Sequence, residues 1–439
     1  MPILRTTFPP SCALKTLTLT LAAASLFAGH DALAATPLPL AAPESVGFSR
    51  EGLARIDQFM AREIAAGRTP GGVIAIARNG KLVHYKAYGK LDPLQDTPMP
   101  LDAMFGLASM TKIMAAVGGL ALSERGLLPL KSRLGDYLPA FANMQVGSAT
   151  NGEIKLAPAA PIYIQDLYRH TSGLSYGGSG DSAIHKMMPA TSSVAAIQLS
   201  GDEFIAKLAA APLLYQPGTV WEYGFSTDVL GLAIEKVSGK RLGDYLKAEV
   251  WDKVGMPDTT FMVPPSKRAR LARPLAKDPL TGRDQSIPIL DAQLKFDCAG
   301  GCAFGTVGDY LRFGQMLVNE GIIDGKRVLS PYTVRLMTSD HLGANIKNNV
   351  TSVEPAREGY SFGLAVAVRV NAGVAAMPGS VGNFTWNGAN GTAFWADPKE
   401  RLVVVYGMAT PGALRKVYRE QISALVYGAM QELPASRKR

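Results

Sequence analysis

Cysteine is scarce in this 439-residue chain, which has three: Cys12, Cys298 and Cys302. Metal-binding patterns are missing as well. No His-Glu-x-x-His pair, second cysteine pair or spaced Asp/Glu cluster occurs, so no metal and no cofactor is implied. No uninterrupted apolar run reaches about 18 residues, which leaves no spanning helix to expect in the mature chain. Charge is sparse at 18%, against 47% apolar residues, a balance that describes a globular protein and excludes wholesale disorder. The net charge of +9 is spread along the sequence. Its densest cluster, Lys267-Arg268-Ala269-Arg270 with Arg273, has no interleaved aromatics, and the basic tail Ser436–Arg439 is short. A solvated face and a frayed terminus explain both, so no nucleic-acid partner is expected.

What is present begins with a leader. Arg5 and Lys15 precede the apolar run Leu17 to Ala28, and Ala32-Leu33-Ala34 places small residues where an exporting peptidase reads them. Residues 1–34 are therefore read as a signal peptide, with cleavage near Ala34 and a periplasmic or secreted product. Removal of Cys12 leaves Cys298-Ala299-Gly300-Gly301-Cys302, and two cysteines in an oxidising compartment are read as a disulfide that pins a glycine-rich turn.

Ser49 caps an amphipathic helix carrying Leu53, Ile56, Phe59, Met60 and Ile64 at helical spacing. Two strand-like runs, Gly72 to Ala77 and Lys81 to Tyr88, flank Asn79-Gly80, a hairpin signal. Helices separated by Gly/Pro loops follow, among them Ser109–Arg125, Ile164–His170, Gly201–Ala211, Thr227–Ser238 and Leu242–Val250. Two long loops, Gly173 to Ala190 and Val263 to Pro288, lie between helices, and Thr306 caps another helix. Strands return at Gly359 to Val370, Gly391 to Ala396 and Leu402 to Met408, before a last helix from Leu414 to Glu432. The expectation is an α+β fold: an antiparallel sheet of N- and C-terminal segments (35–108 and 298–439) around a mainly helical insertion (109–297), with the active site between them.

Ser109-Met110-Thr111-Lys112 is the chain's single Ser-x-x-Lys. On a helix the two side chains share one face, so an ammonium reaches the serine oxygen while the helix start offers free N–H groups beside any oxyanion. Tyr223 lies in a loop before a helix that Thr227 could cap. A phenol beside an ammonium forms an ionisable pair. Trp386-Asn387-Gly388 enters a glycine-punctuated turn of the kind that exposes backbone donors. The four histidines beyond the leader, His84, His170, His185 and His341, are read as structural or surface groups.

The order Ser109-x-x-Lys112, Tyr223, Trp386-Asn387-Gly388, with His170-Thr171-Ser172-Gly173-Leu174, Asp228-Val229-Leu230-Gly231 and Asp397-Pro398, resembles the serine β-lactamase and penicillin-binding-protein superfamily. It is most similar to the class C-like branch containing the family VIII carboxylesterases. The resemblance implies that Ser109 is acylated and that Lys112 and Tyr223 together act as base. It also implies an oxyanion hole from the Ser109 and Ala389 N–H groups, and substrate contacts from Phe225, Trp386, Asn387 and Gly388. Phe225 stands where the β-lactamases of this branch carry an asparagine, and Trp386 stands in place of the lysine of Lys-Thr-Gly. Both departures remove polar contacts to a β-lactam, and Trp386 is expected to form an apolar wall. The reading is an exported serine hydrolase of carboxylic esters, acting on a small molecule. A D-amino-acid peptidase, amidase or weak β-lactamase shares the chemistry, and a non-catalytic cell-envelope binding protein shares only the fold.

Overall fold

Ser49 opens α1 (Arg50–Ala65), its hydroxyl accepting from the Gly52 N–H at 3.1 Å. The apolar spacing read from the sequence buries Leu53, Ile56, Phe59 and Met60 along one side. The chain then enters β1 (Gly71–Arg78), β2 (Lys81–Asp92) and the short β3 (Thr97–Pro98). Asn79 and Gly80 have φ values of 56° and 72°, the left-handed pair that a two-residue hairpin turn requires. The computed structural model describes residues 37–150 and 153–431. The leader over 1–34, its cleavage position and the tail Ser436–Arg439 lie outside those residues.

From the C-terminal third come β4 (Tyr360–Phe362), β5 (Ala367–Arg369), β6 (Phe384–Asn387), β7 (Ala393–Asp397) and β8 (Leu402–Met408). Together the strands make one antiparallel eight-stranded sheet in the order β4-β5-β6-β7-β8-β1-β2-β3. The α+β class with a sheet of N- and C-terminal segments is the observed one. β1 and β8 are buried along their whole length, because the sheet is covered on both faces.

On one face, α1 and the last helix, α5 (Leu414–Gly428), bury Leu414, Tyr418, Ile422 and Val426 against Ile74, Val404 and Tyr406. On the other lie α2 (Thr111–Glu124), α3 (Ser226–Ser238) and α4 (Val307–Val318), whose core includes Phe105, Trp386, Phe394 and Val405. Thr306 caps α4 as expected, accepting from the Asp309 N–H at 3.0 Å. α4 comes so near the sheet that a Cβ at Gly314 would lie 2.6 Å from the Phe394 ring.

Four local expectations need correction. The run Gly359 to Val370 is two strands rather than one, because Gly363 and Val366 close a turn with Ala365 at φ 65°. A hairpin, Gln145–Thr150 with Glu153–Pro158, occupies a stretch expected to be loop. Thr227 is not a cap: α3 already begins at Ser226, and the Thr227 hydroxyl meets His170 Nε2 at 3.3 Å. The segment Leu242–Val250 starts as an α-helix and widens to a π-helix over Lys247–Trp251.

Candidate active site

The chain reaches Ser109 through a strained step. A short strand, Met104–Gly106, pairs with Phe304–Thr306, and the Leu107 N–H donates to Ala303 O at 2.8 Å. Ala108 then adopts φ 46°, left-handed for a residue with a Cβ, of the kind found where surrounding structure fixes a functional group. A 3₁₀ turn over Ala108–Met110 leads into α2, so Ser109 sits just ahead of the α-helix. Lys112 falls on its first turn and is fully buried.

Ser109, Lys112 and Tyr223 come together. The Tyr223 hydroxyl donates to Ser109 Oγ at 2.6 Å, while Lys112 Nζ lies 3.5 Å from the same oxygen and 4.6 Å from the Tyr223 ring centroid. Lys112 also donates to Tyr176 Oη at 3.0 Å and to Gly300 O at 2.5 Å. Burial alone would drive its proton off. The oxygens of Tyr176, Tyr223 and Asp228 outweigh that effect, and the ammonium is held above its ordinary range.

Three of these groups were not singled out from the sequence as Lys112 partners. Tyr176 Oη is 2.9 Å from Ser192 Oγ, and Ser192 donates to Asp228 Oδ2 at 2.7 Å. The Gly300 N–H donates to Asp228 Oδ1 at 2.8 Å. Burial pushes the Asp228 carboxyl up, against the opposing pull of Lys112, Ser192 and Gly300. Cys298 and Cys302 are joined as a disulfide around Gly300 and Gly301, so the bond pins the turn that supplies these contacts.

The substrate-side expectations fare unevenly. Ala389 borders the same cavity as Ser109, in a turn whose own bonds run from the Gly388 N–H to Thr392 O and from the Gly391 N–H to Gly388 O. Neither uses the Ala389 N–H. Asn390 Nδ2 donates to Gly106 O at 3.0 Å and the Thr392 hydroxyl to Leu107 O at 3.0 Å, which ties this turn to the step before Ser109. Gly388 is enclosed there: a Cβ would lie 2.0 Å from Thr392 Oγ1 and 2.4 Å from Leu107 O.

Trp386 is not a pocket wall. It is 2% exposed, packs against Trp221 and Phe362, and donates its Nε1–H to Tyr223 Oη at 3.1 Å. Phe225 is fully buried edge-on to Tyr176 and Phe204, behind the site, and Asn387 points to the opposite face of the sheet. The alternation of β6 explains the split between Trp386 and Asn387.

His170 packs 4.9 Å from the Tyr223 ring, and burial followed by the Lys112 charge holds its imidazole well below the usual range. It stays neutral and structural. The chain's Gly-x-Ser-x-Gly pentapeptide, Gly173–Gly177, forms no triad. Its Ser175 is buried and donates to Glu222 Oε1 at 2.7 Å, with no histidine in that contact. Among the described residues no cluster of His, Cys, Asp or Glu could hold a metal ion.

In front of Ser109 is a cavity of about 180 Å³. Its walls include Tyr176 from the first long loop, Thr191 and Ser193 at the start of the helix Ser192–Gln198 that follows it, Ile287 and Pro288 at the end of the second loop with Ile289 just beyond, and Ala389 with Asn390. Of the described residues lining it, none is charged.

The beta-lactamase family model matches residues 54–425. Protein Rv1367c of Mycobacterium tuberculosis is 32% identical over 361 residues, covering 80% of this chain and 88% of that protein. Esterase EstB of Burkholderia gladioli is 27% identical, covering 78% and 87%. Among solved structures, EstCE1, described as a hydrolase with promiscuous acyltransferase activity, superposes with a TM-score of 0.69 at 26% identity, covering 86% of this chain and 99% of that one. The chain belongs to the beta-lactamase family of serine hydrolases.

Proposed function

We propose that this protein is an exported carboxylesterase that works through an acyl-enzyme on Ser109. The observation that carries the reading is the uncharged lining of the cavity at Ser109. A carboxylate-bearing β-lactam or peptide would meet no cation on the cavity wall, the Lys112 ammonium being fully buried behind Ser109, and the loss of one charge-assisted contact costs about 1.5–3 kcal/mol. A neutral ester loses nothing. The small cavity, with Ile287, Pro288 and Ile289 on one side, suits a short acyl group.

In the proposed first step Ser109 Oγ bonds to the ester carbonyl carbon. In the reactive form Tyr223 is the phenolate paired with the Lys112 ammonium, and the Ser109 proton passes to its Oη, the oxygen 2.6 Å away, while Lys112 keeps its own proton. The negative charge developing on the carbonyl oxygen faces the N–H groups of Ser109 and Ala389. Collapse breaks the ester C–O bond, and the leaving alkoxide takes the proton from Tyr223. Water then repeats the sequence on the acyl-serine and releases the acid. The esterase names of EstB and of a lovastatin esterase from Penicillium rubens, 26% identical, support this substrate class.

The test is side-by-side turnover of p-nitrophenyl butyrate and a chromogenic cephalosporin by the purified protein and by Ser109→Ala. Fast ester cleavage lost in the variant is expected. Undiminished turnover in Ser109→Ala removes the nucleophile, and a preference for the cephalosporin removes the esterase assignment. Export is tested by N-terminal sequencing of protein recovered outside the cytoplasm. A start at Ala35 is expected, and retention of residues 1–34 overturns it.

A further inference from the structure

On the face of the sheet turned away from Ser109, α5 closes over β6 and β7 to leave a second cavity of about 20 Å³. Asn387, Ala393 and Trp395 reach it from the strands. Arg419, Ser423 and Tyr427, at i, i+4 and i+8 along α5, reach it from above, and Arg357 closes one end. The side-chain chemistry around it is one-sided. Arg357 Nε, Arg419 Nε and Trp395 Nε1 are buried N–H groups with no protein acceptor, as is the Asn387 amide nitrogen. These four residues are 6%, 6%, 8% and 7% exposed. The first three can only donate.

Charge points the same way. Arg419 pairs with Glu354 and donates to Gly388 O at 2.8 Å. Arg357 lies over the Tyr360 ring at 4.9 Å and donates to Thr385 Oγ1 at 3.3 Å, but among the described residues no carboxylate pairs with it. Arg419 thus has a half-buried carboxylate partner and Arg357 has none, while the buried Asp397 carboxylate behind Tyr427 accepts from the Tyr427 hydroxyl and the Ser380 N–H instead. An unpaired buried cation and several buried unpaired donors are each costly, and they cluster at one small space.

A water molecule there would bring two hydrogens needing acceptors, and among the described residues Asn383 Oδ1 is the one fully buried lining oxygen without a partner, against four such N–H groups. An anion needs none. We propose that this cavity binds a small inorganic monoanion of chloride size. The space admits an occupant of one or two water volumes, which excludes sulfate and phosphate. Its donors join α5 to β6, so the bound anion fastens the helix to the strand that carries Trp386 and, through it, Tyr223.

The probe is chloride itself. Thermal unfolding of the full chain is followed in sodium chloride and in sodium gluconate at equal ionic strength, since gluconate is too large to enter. Binding to the folded state alone predicts a Tm about 1–3 °C higher in 0.2 M chloride. Trp395→Phe deletes one donor and keeps the ring, and its chloride-specific rise should fall by half or more. Crystals of the unmodified protein soaked in bromide should show an anomalous peak beside Arg357 and Trp395, a readout that does not depend on any variant folding. Coincident melting curves in the two salts, an undiminished rise in Trp395→Phe, or no bromide peak in the cavity overturns the proposal.

Discussion

Lys112 and Asp228 are joined through the backbone of Gly300, whose N–H donates to Asp228 Oδ1 at 2.8 Å and whose carbonyl accepts from Lys112 Nζ at 2.5 Å. A second route runs from Lys112 through Tyr176 and Ser192 to the same carboxyl group. The buried ammonium is thereby held at Ser109 without a carboxylate in direct contact, which would compete for it.

Only glycine fits between these groups. A Cβ at residue 300 would lie 2.2 Å from Asp228 Oδ2 and 2.3 Å from Ser192 Oγ. Gly300→Ala must displace one of them and loosen the Lys112 contact. Loss of a hydrogen bond to a charged group predicts a fall in kcat of about ten- to a hundredfold. Ester turnover measured alongside circular dichroism checks it, and an active, folded variant refutes it.

Trp386→Phe separates two roles for that side chain. The substitution keeps aromatic packing against Trp221 and Phe362 but deletes the N–H held 3.1 Å from Tyr223 Oη. A positioning role predicts that kcat drops about tenfold with KM within twofold. A substrate wall predicts the reverse, a shift in KM with little change in kcat. Steady-state kinetics on butyrate and acetate esters distinguishes them.

The contrast between Trp386 and Ser109 shows what the sequence made legible. Ser109 and Lys112 are three residues apart at a helix start, so local geometry alone brought them together. The hairpin at Asn79-Gly80 and the Ser49 and Thr306 caps were legible for the same reason. Tyr223 needed the resemblance, because its contact with Ser109 spans 114 residues. Gly300 contacts Lys112 across 188 residues, and nothing in the local pattern marks that pairing. At Trp386-Asn387 a strand's alternation sends neighbours to opposite faces, and sequence did not say which face held the substrate. Phe225 was misplaced because the loop that ends in α3 turns it behind Tyr176.

The Cys298–Cys302 bond should act on both stability and rate. By the chain-entropy argument so short a ring contributes about 2 kcal/mol. It also pins the turn that presents Gly300 to Lys112. Replacing both cysteines by serine should lower the urea midpoint and reduce kcat together. A stability loss with kcat unchanged would show that Gly300 is held without the disulfide.

His84 gives the fold a pH dependence with a defined sign. It is 4% exposed on β2, with Nε2 2.8 Å from Tyr88 Oη, and the Tyr88 hydroxyl donates to Asp57 Oδ1 at 2.6 Å. Burial, against the pull of Asp57 and with a small push from Lys86, lowers its imidazole from 6.5 to about 4. Between those values the unfolded chain binds the proton and the folded one does not. The contribution is therefore present above pH 6.5 and lost as pH falls toward 4, and it amounts to roughly 3 kcal/mol. Asp309 runs the other way. Burial, opposed by Thr259 and the Asp258 N–H, raises its carboxyl from 3.8 to about 6. In that window the folded state holds the proton more tightly, so stability from Asp309 grows on acidification and offsets part of the His84 loss. The fall in Tm from pH 7 to pH 4.5 should accordingly shrink in His84→Gln and deepen in Asp309→Asn. Equal falls in all three proteins would remove both groups from the pH response.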